Sequence, residues 1–143
     1  MGDLFRILVT GSWTWDNKDF IWNVLDVALA ELGDVTVVHG ACPKGADAIA
    51  QGWVRHQLVT GAGNVRAERH PADWSTHGRA AGFRRNAEMV ATSPDLCLAF
   101  IRDGSKGASG CADLAERAGI ETRRFEYWSI SEDPVWPEGS YAP

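Results

Sequence analysis

Four stretches of the chain gather residue types that hold anions. The richest is Asp103-Gly104-Ser105-Lys106-Gly107-Ala108-Ser109, between an apolar run and a helical one. Glycines let backbone N–H groups approach a ligand closely, and a lysine and two hydroxyls add donors, so the segment can cradle a phosphate. It lacks the G-x-x-x-x-G-K-[ST] pattern, and a glycine-rich turn without a ligand is the competing reading. Gly11-Ser12-Trp13 follows the first apolar run and offers free amides or simply a tight turn; it is not G-x-G-x-x-G. In His39-Gly40-Ala41-Cys42-Pro43-Lys44-Gly45-Ala46-Asp47, the second loop runs into a helix whose N-terminus attracts anions. Asp47 there either complements the helix terminus or meets a ribose hydroxyl.

The fourth stretch, 78–91, reads as a helix carrying Arg79, Arg84, Arg85, Asn86 and Glu88. Placing Ala80, Phe83, Ala87 and Val90 toward the core puts Arg79, Gly82 and Asn86 on one flank and Arg84 and Glu88 on the other. Arg85 then points away from the core with Ala81 and Met89, as a solvated side chain or a contact with another subunit. His39, Cys42, His70 and His77 also fall near strand ends, but no pair has zinc spacing and no metal is expected. No G-x-S-x-G elbow is present either.

The elements that must position these loops alternate strand and helix. Strands are expected at 5–11, 35–40, 65–71, 95–101 and 120–127, with the third near an edge and the fourth, almost wholly apolar, inside the sheet. Helices are expected at 17–32, 45–59, 78–91 and 107–118. The first has Phe20, Val24, Val27, Leu29 and Leu32 inward, Asp16 or Asn17 as N-cap and Gly33 as stop. A turn occupies 60–64. Helices between strands imply right-handed crossovers, hence a Rossmann-like α/β three-layer sandwich around a central, mostly parallel five-stranded sheet. One domain spans 5–127, and 128–143 is an irregular C-terminal tail that packs as an arm or frays. Ligands of such sheets sit beyond the carboxyl ends of the strands, where the three loops and the segment leading into the helix at 78–91 lie.

The 143 residues carry a formal net charge of −5, which argues against wholesale nucleic-acid binding. Six arginines nevertheless cluster between 55 and 85, suiting a small anionic ligand. Three cysteines without a C-x-x-C pair, and no signal peptide or long apolar run, predict a soluble cytoplasmic protein. Several of the seven tryptophans, Trp15, Trp22, Trp53 and Trp74 among them, are available to cover a pocket or a subunit interface.

"RILVTGSWTW", "VVHGACPKGADAIA", "GRAAGFRRNAEMV" and "LCLAFIRDGSKGASG" together resemble the SLOG superfamily, in its small YspA-like, cpYpsA-related branch. The resemblance covers about residues 5–126. It implies a Rossmann-like fold that binds nucleotides or nucleotide-derived ligands, in a group that includes the cytokinin-activating phosphoribohydrolases and the DNA-processing protein DprA. By motif it implies ligand contact at Gly11 and Ser12, a phosphate cradle over Gly104–Ser109, and a role near a dimer interface for Arg85, which opens a segment like Arg-Lys-x-x-Met. Two departures stand out. The phosphoribohydrolase pattern P-G-G-x-G-T-x-x-E has Ala108 for its Thr and Cys111 for its catalytic Glu, and Trp13 stands where relatives often carry Arg.

The first expectation is therefore a sensor or sequestering protein for a nucleotide, ADP-ribose or a related small molecule. Its ligand contacts would come from Gly11, Ser12, Trp13, Gly40, Gly45, Asp47, Arg79, Arg85, Asn86 and Gly104 through Ser109. The alternative is a nucleoside-monophosphate phosphoribohydrolase or other nucleotide hydrolase, with Asp47 or Glu88 as substitute acid or base. A DprA-like accessory is disfavoured by the acidic charge. A homo-oligomer, dimer or tetramer, is expected; no cofactor and no membrane association are.

Overall fold

The computed structural model describes residues 5–61 and 64–129. Its elements run β1 (Phe5–Gly11), α1 (Lys18–Leu32), β2 (Asp34–His39), α2 (Gly45–Thr60), β3 (Asn64–Arg69), α3 (Trp74–His77), a 3-10 turn (Gly78–Ala80), α4 (Ala81–Ala91), β4 (Leu96–Arg102), α5 (Lys106–Arg117) and β5 (Glu121–Tyr127). The five strands lie in the order β3-β2-β1-β4-β5, every pair parallel. This is the expected Rossmann-like α/β arrangement, with β3 at an edge and β4 inside. The turn at 60–64 falls partly, and the tail almost wholly, outside the described residues.

The period-2 alternation of the strands sorts the core into two sides. Ile7, Val9, Val37, Leu98 and Phe100 face α1 and α2, where they meet Phe20, Ile21, Leu25, Ala50 and Trp53. Leu8, Val38 and Cys97 face α4 and α5 through Met89, Val90, Cys111 and Ala115. Small residues, Ala99 against Ala108 and Ala112, let α5 approach β4 closely. Strands β2 and β4 lie on opposite sides of β1, so the chain's winding reverses at β1 and β4. Their carboxyl ends open the crevice that such sheets use for ligands.

Asn17 is the N-cap of α1, its Oδ1 accepting from Phe20 N at 3.1 Å, and Gly33 closes the helix at φ +79°. The buried stripe of α1 is Phe20, Ile21, Val24, Leu25 and Ala28. It is rotated from the expected one, and Leu32 is 41% exposed. Trp15 and Trp53 are core residues rather than surface covers. The expected helix at 78–91 divides: the 3-10 turn takes 78–80 and α4 begins at Ala81.

The helical wheel of α4 also needs correcting. Ala81, Met89 and Val90 are buried and Phe83 is 66% exposed, so the face carrying Arg85 and Met89 turns inward, not outward. Both faces of this short helix carry apolar residues, and the thioether of Met89 fills the core where Phe83 was expected.

Candidate functional site

A cleft of about 520 Å³ opens at the β1/β4 crossover point, within the range of small-molecule sites. One wall is the end of β1 and its loop, Thr10 to Thr14; another is the first turns of α5, from Ser105 to Leu114. Cys42 and Asp47 close it from the β2–α2 side, and α3 and α4 contribute Trp74, Gly82, Phe83, Arg85, Asn86 and Met89.

The first wall is held by Ser12, only 2% exposed. Its N–H donates to Phe100 O at 2.9 Å, and its Oγ accepts from Arg102 N at 2.8 Å, stitching β1 to β4 beyond the sheet. Its carbonyl accepts from Ala46 N at 3.3 Å, fastening the start of α2. Gly11 and Gly45 serve the same junction. A Cβ on Gly11 would run into Ala46 and lie 2.7 Å from Phe100 O, and one on Gly45, at φ +69°, would overlap the Ser12–Trp13 backbone. Gly11 and Ser12 line the cleft; Gly45 lies behind it.

The wall at α5 differs. Asp103 and Gly104 turn the chain at φ +51° and +63°. Trp128 covers Gly104, and Asp103 is occupied by Ser129, whose N–H reaches Oδ1 at 2.9 Å. Ser105 precedes α5 without giving it a side-chain cap, so among the described residues the opening amides, Lys106 to Ala108, keep their donors for another acceptor. Gly107 and Gly110 line the cleft, and a Cβ on either would meet nothing within 4 Å among the described residues outside its own helix. Gly104 answers to a turn; these two answer to no packing demand among the described residues.

On the far side, Arg85 reaches from α4 to the end of β2. Its Nη1 donates to Gly40 O and its Nε to Asn86 Oδ1 at 2.8 Å. Gly40 does not line the cleft but makes room for the guanidinium, since a Cβ there would sit 2.5 Å from Arg85 Cζ. Asp47, 7% exposed, accepts from Cys42 N at 3.3 Å. Burial pushes its carboxyl above the usual carboxylate range, against the opposing pull of His39, the Cys42 amide and Arg85. His39 is buried beneath it. Its Nδ1 accepts from Ala41 N at 3.0 Å, which leaves Nε2 to donate to Gln51 Oε1 at 2.6 Å. Both ring positions are thus satisfied by neutral imidazole, and burial lowers its pKa accordingly.

Of the residues singled out from sequence, the cleft brings together Gly11, Ser12, Trp13, Asp47, Arg85, Asn86 and Ser105 to Ala108. Arg79, Gly104, Ser109 and Glu88 are not among its lining, and Gly40 and Gly45 act from behind. Trp74, one of the tryptophans expected to cover a pocket or an interface, lines it too, whereas sequence reasoning did not place Thr10, Cys42, Phe83 or Met89 at a ligand site. Cys111, which the motif resemblance set against the phosphoribohydrolases' glutamate, is a buried thiol, raised in pKa by desolvation with the Thr10 hydroxyl beside it. Asp47 is therefore the carboxylate residue in the lining. Among the described residues no group of three or more His, Cys, Asp or Glu is placed to hold a metal, and no helix is long and apolar enough to cross a membrane.

A family model described as YspA, cpYpsA-related SLOG family matches residues 5–77, which takes in the first two loops and stops short of α4 and α5. The chain is 40% identical over 121 residues to the Gene 61 protein of Mycobacterium phage D29, covering 84% of this chain and 95% of that one. Among solved structures, the C-terminal domain of the PF1911 hydrogenase from Pyrococcus furiosus is similar over 87% of this chain and 92% of that one, at 18% identity and a TM-score of 0.42.

Proposed function

The chain belongs to the YspA, cpYpsA-related SLOG family, and from that premise we propose that its cleft binds a nucleotide or nucleotide-derived small molecule, as a sensor or sequestering protein. The observation that carries this reading is the start of α5. A helix terminus without a side-chain cap faces the cleft, with Lys106 beside it and two glycines whose missing side chains leave open space. Glycine inside a helix costs about 0.5–1 kcal/mol relative to alanine. Gly110 carries that cost with no packing return from the described residues, as expected where a ligand must lie against the backbone. The terminal amides and Lys106 take the phosphate. Arg85, anchored on Gly40 and Asn86, supplies a second cation.

One observation favours turnover as a second reading. Asp47 lies in the cleft wall with its proton held more tightly than in water. In hydrolysis of a nucleoside monophosphate it would give that proton to the departing base as the base–sugar bond breaks and water adds to the sugar carbon, the water's proton returning to the carboxylate. Glu88, exposed and outside the lining, drops out of that role. A cytoplasmic homo-oligomer remains part of the proposal, with exposed Leu58 and Val59 on α2 as apolar surface for a second copy and light scattering as its check.

The test is a thermal-shift screen of AMP, ADP-ribose, NAD and cyclic nucleotides, followed by mass spectrometry of the bound species. Ligand at a hundredfold over Kd adds about 2.7 kcal/mol of stability. A hit recovered intact supports a sensor or sponge; one recovered as free base and sugar phosphate supports the hydrolase. No shift with any of the panel defeats both.

A further inference from the structure

We infer that the mouth of the cleft is a stacking platform for a nucleobase, built from Trp13, Trp74 and Phe83. This rests on the nucleotide reading of the cleft and adds how the planar end of the ligand is held. The three rings are 63%, 52% and 66% exposed, and all three line the same cleft. They come from three separate elements: the β1–α1 loop, α3 and α4. Large rings left in water on three elements and converging on one opening point to a partner that covers them.

The platform is built rather than incidental. Asp73 caps α3, its Oδ1 accepting from Thr76 N at 3.1 Å and Ser75 Oγ at 2.9 Å, which fixes the turn that presents Trp74. The indole then lies over Gly82. A Cβ there would be 3.4 Å from Trp74 Cη2 and 3.8 Å from Arg85 Nη2, so ring and guanidinium flank the same glycine. The occupant must be flat and apolar on its faces at this end and anionic toward Lys106 and the opening amides of α5. A purine or pyrimidine monophosphate has that polarity, and base–aromatic stacking tolerates either ring.

The experiment compares AMP, GMP and UMP with ribose 5-phosphate by calorimetric titration, on the wild type and on Trp74→Leu and Phe83→Leu. Both substitutions are at exposed positions, and circular dichroism checks that each variant folds. The best monophosphate is expected to bind about 5- to 150-fold more tightly than ribose 5-phosphate, the span set by stacking one base. Each variant should lose much of that advantage, leave ribose 5-phosphate binding unchanged and weaken the quenching of tryptophan fluorescence by the base. Equal binding of the base-bearing and base-free ligands overturns the platform and leaves the phosphate reading standing. So does an equal loss of both ligands in the variants, or a wild-type dimer that either variant turns into a monomer. If none of the four ligands binds, the nucleotide reading falls, and the platform with it.

Discussion

Arg85 of α4 lies across Gly40 at the end of β2, its Nη1 bonded to the Gly40 carbonyl, 45 residues away in the chain. The absent side chain of Gly40 is what lets the guanidinium rest there. Gly40→Ala would push Cβ to within 2.5 Å of Cζ, and because an arginine head group is mobile, the fold should yield by moving it. The variant is expected to unfold near the wild-type temperature but bind AMP about tenfold more weakly, through loss of a positioned charge-assisted bond. Calorimetry beside a thermal melt checks both halves. A large drop in melting temperature would mean that Gly40 serves packing alone.

Gly110→Ala should separate stability from binding. Outside its own helix the new methyl meets no atom of the described residues within 4 Å, so replacing a helical glycine should stabilise the fold by about 0.5–1 kcal/mol. It also projects toward the cleft and should lower ligand affinity. Urea denaturation and AMP titration of the same preparation read the two effects; a variant that binds as well as wild type would remove Gly110 from the ligand's path.

Ser12→Ala is expected to act on the fold. It deletes the acceptor of the Arg102 amide at the β1/β4 junction and leaves a part-buried donor unpaired. The cost should be about 1–3 kcal/mol in urea denaturation. An unchanged midpoint would show that the junction holds without this bond.

The pH dependence of stability should expose Asp47. Burial raises its folded pKa above the ordinary 3.8, so across the interval between the two values the native state binds more protons than the unfolded chain. Its contribution to stability is therefore full below 3.8 and is lost as pH rises through the folded value. Asp47→Asn removes that loss. Its urea midpoint should exceed that of the wild type at pH 7, and the gap should close toward pH 4. His39, whose depressed pKa acts in the opposite sense, loses the pull of the Asp47 carboxylate in the variant; that lowers it further and closes the gap at low pH in the same direction. A variant less stable than wild type at pH 7 would refute the assignment.

The three thiols should react unequally. Cys97 and Cys111 are buried, and desolvation raises both, whereas Cys42 is partly accessible and lines the cleft. An aromatic disulfide reagent should modify one thiol of the native protein, absent in Cys42→Ser, and AMP should slow the reaction. Two or three thiols reacting in the native state would contradict this burial.

Much of this architecture is decided locally. The alternation of short apolar runs with helical segments determines a parallel sheet, because parallel neighbours require crossovers that only helices of this length supply. The wholly apolar 96–101 run belongs inside the sheet, since both its faces must be covered, and the polar Arg66 and Glu68 suit an edge. The glycine-rich loops are visible as loops, and their position at strand ends follows from the fold class.

What each glycine does is not visible there. Gly11 and Gly45 are required by the approach of α2 to the β1 loop, Gly104 by a left-handed turn, and Gly107 and Gly110 by nothing among the described residues. That distinction depends on which atoms arrive from elsewhere. The same holds for α4: its 11 residues carry apolar groups on both sides, so periodicity alone could not choose between Phe83 and Met89 for the core. The sheet made the choice, because Leu8, Val38 and Cys97 present a surface that Met89 and Val90 fill. Turning that face inward carried Arg85 to Gly40 and left Phe83 in water beside Trp13 and Trp74. The sequence determined which residues were available at the carboxyl edge; only the packing of helices on the sheet decided which of them share one cleft.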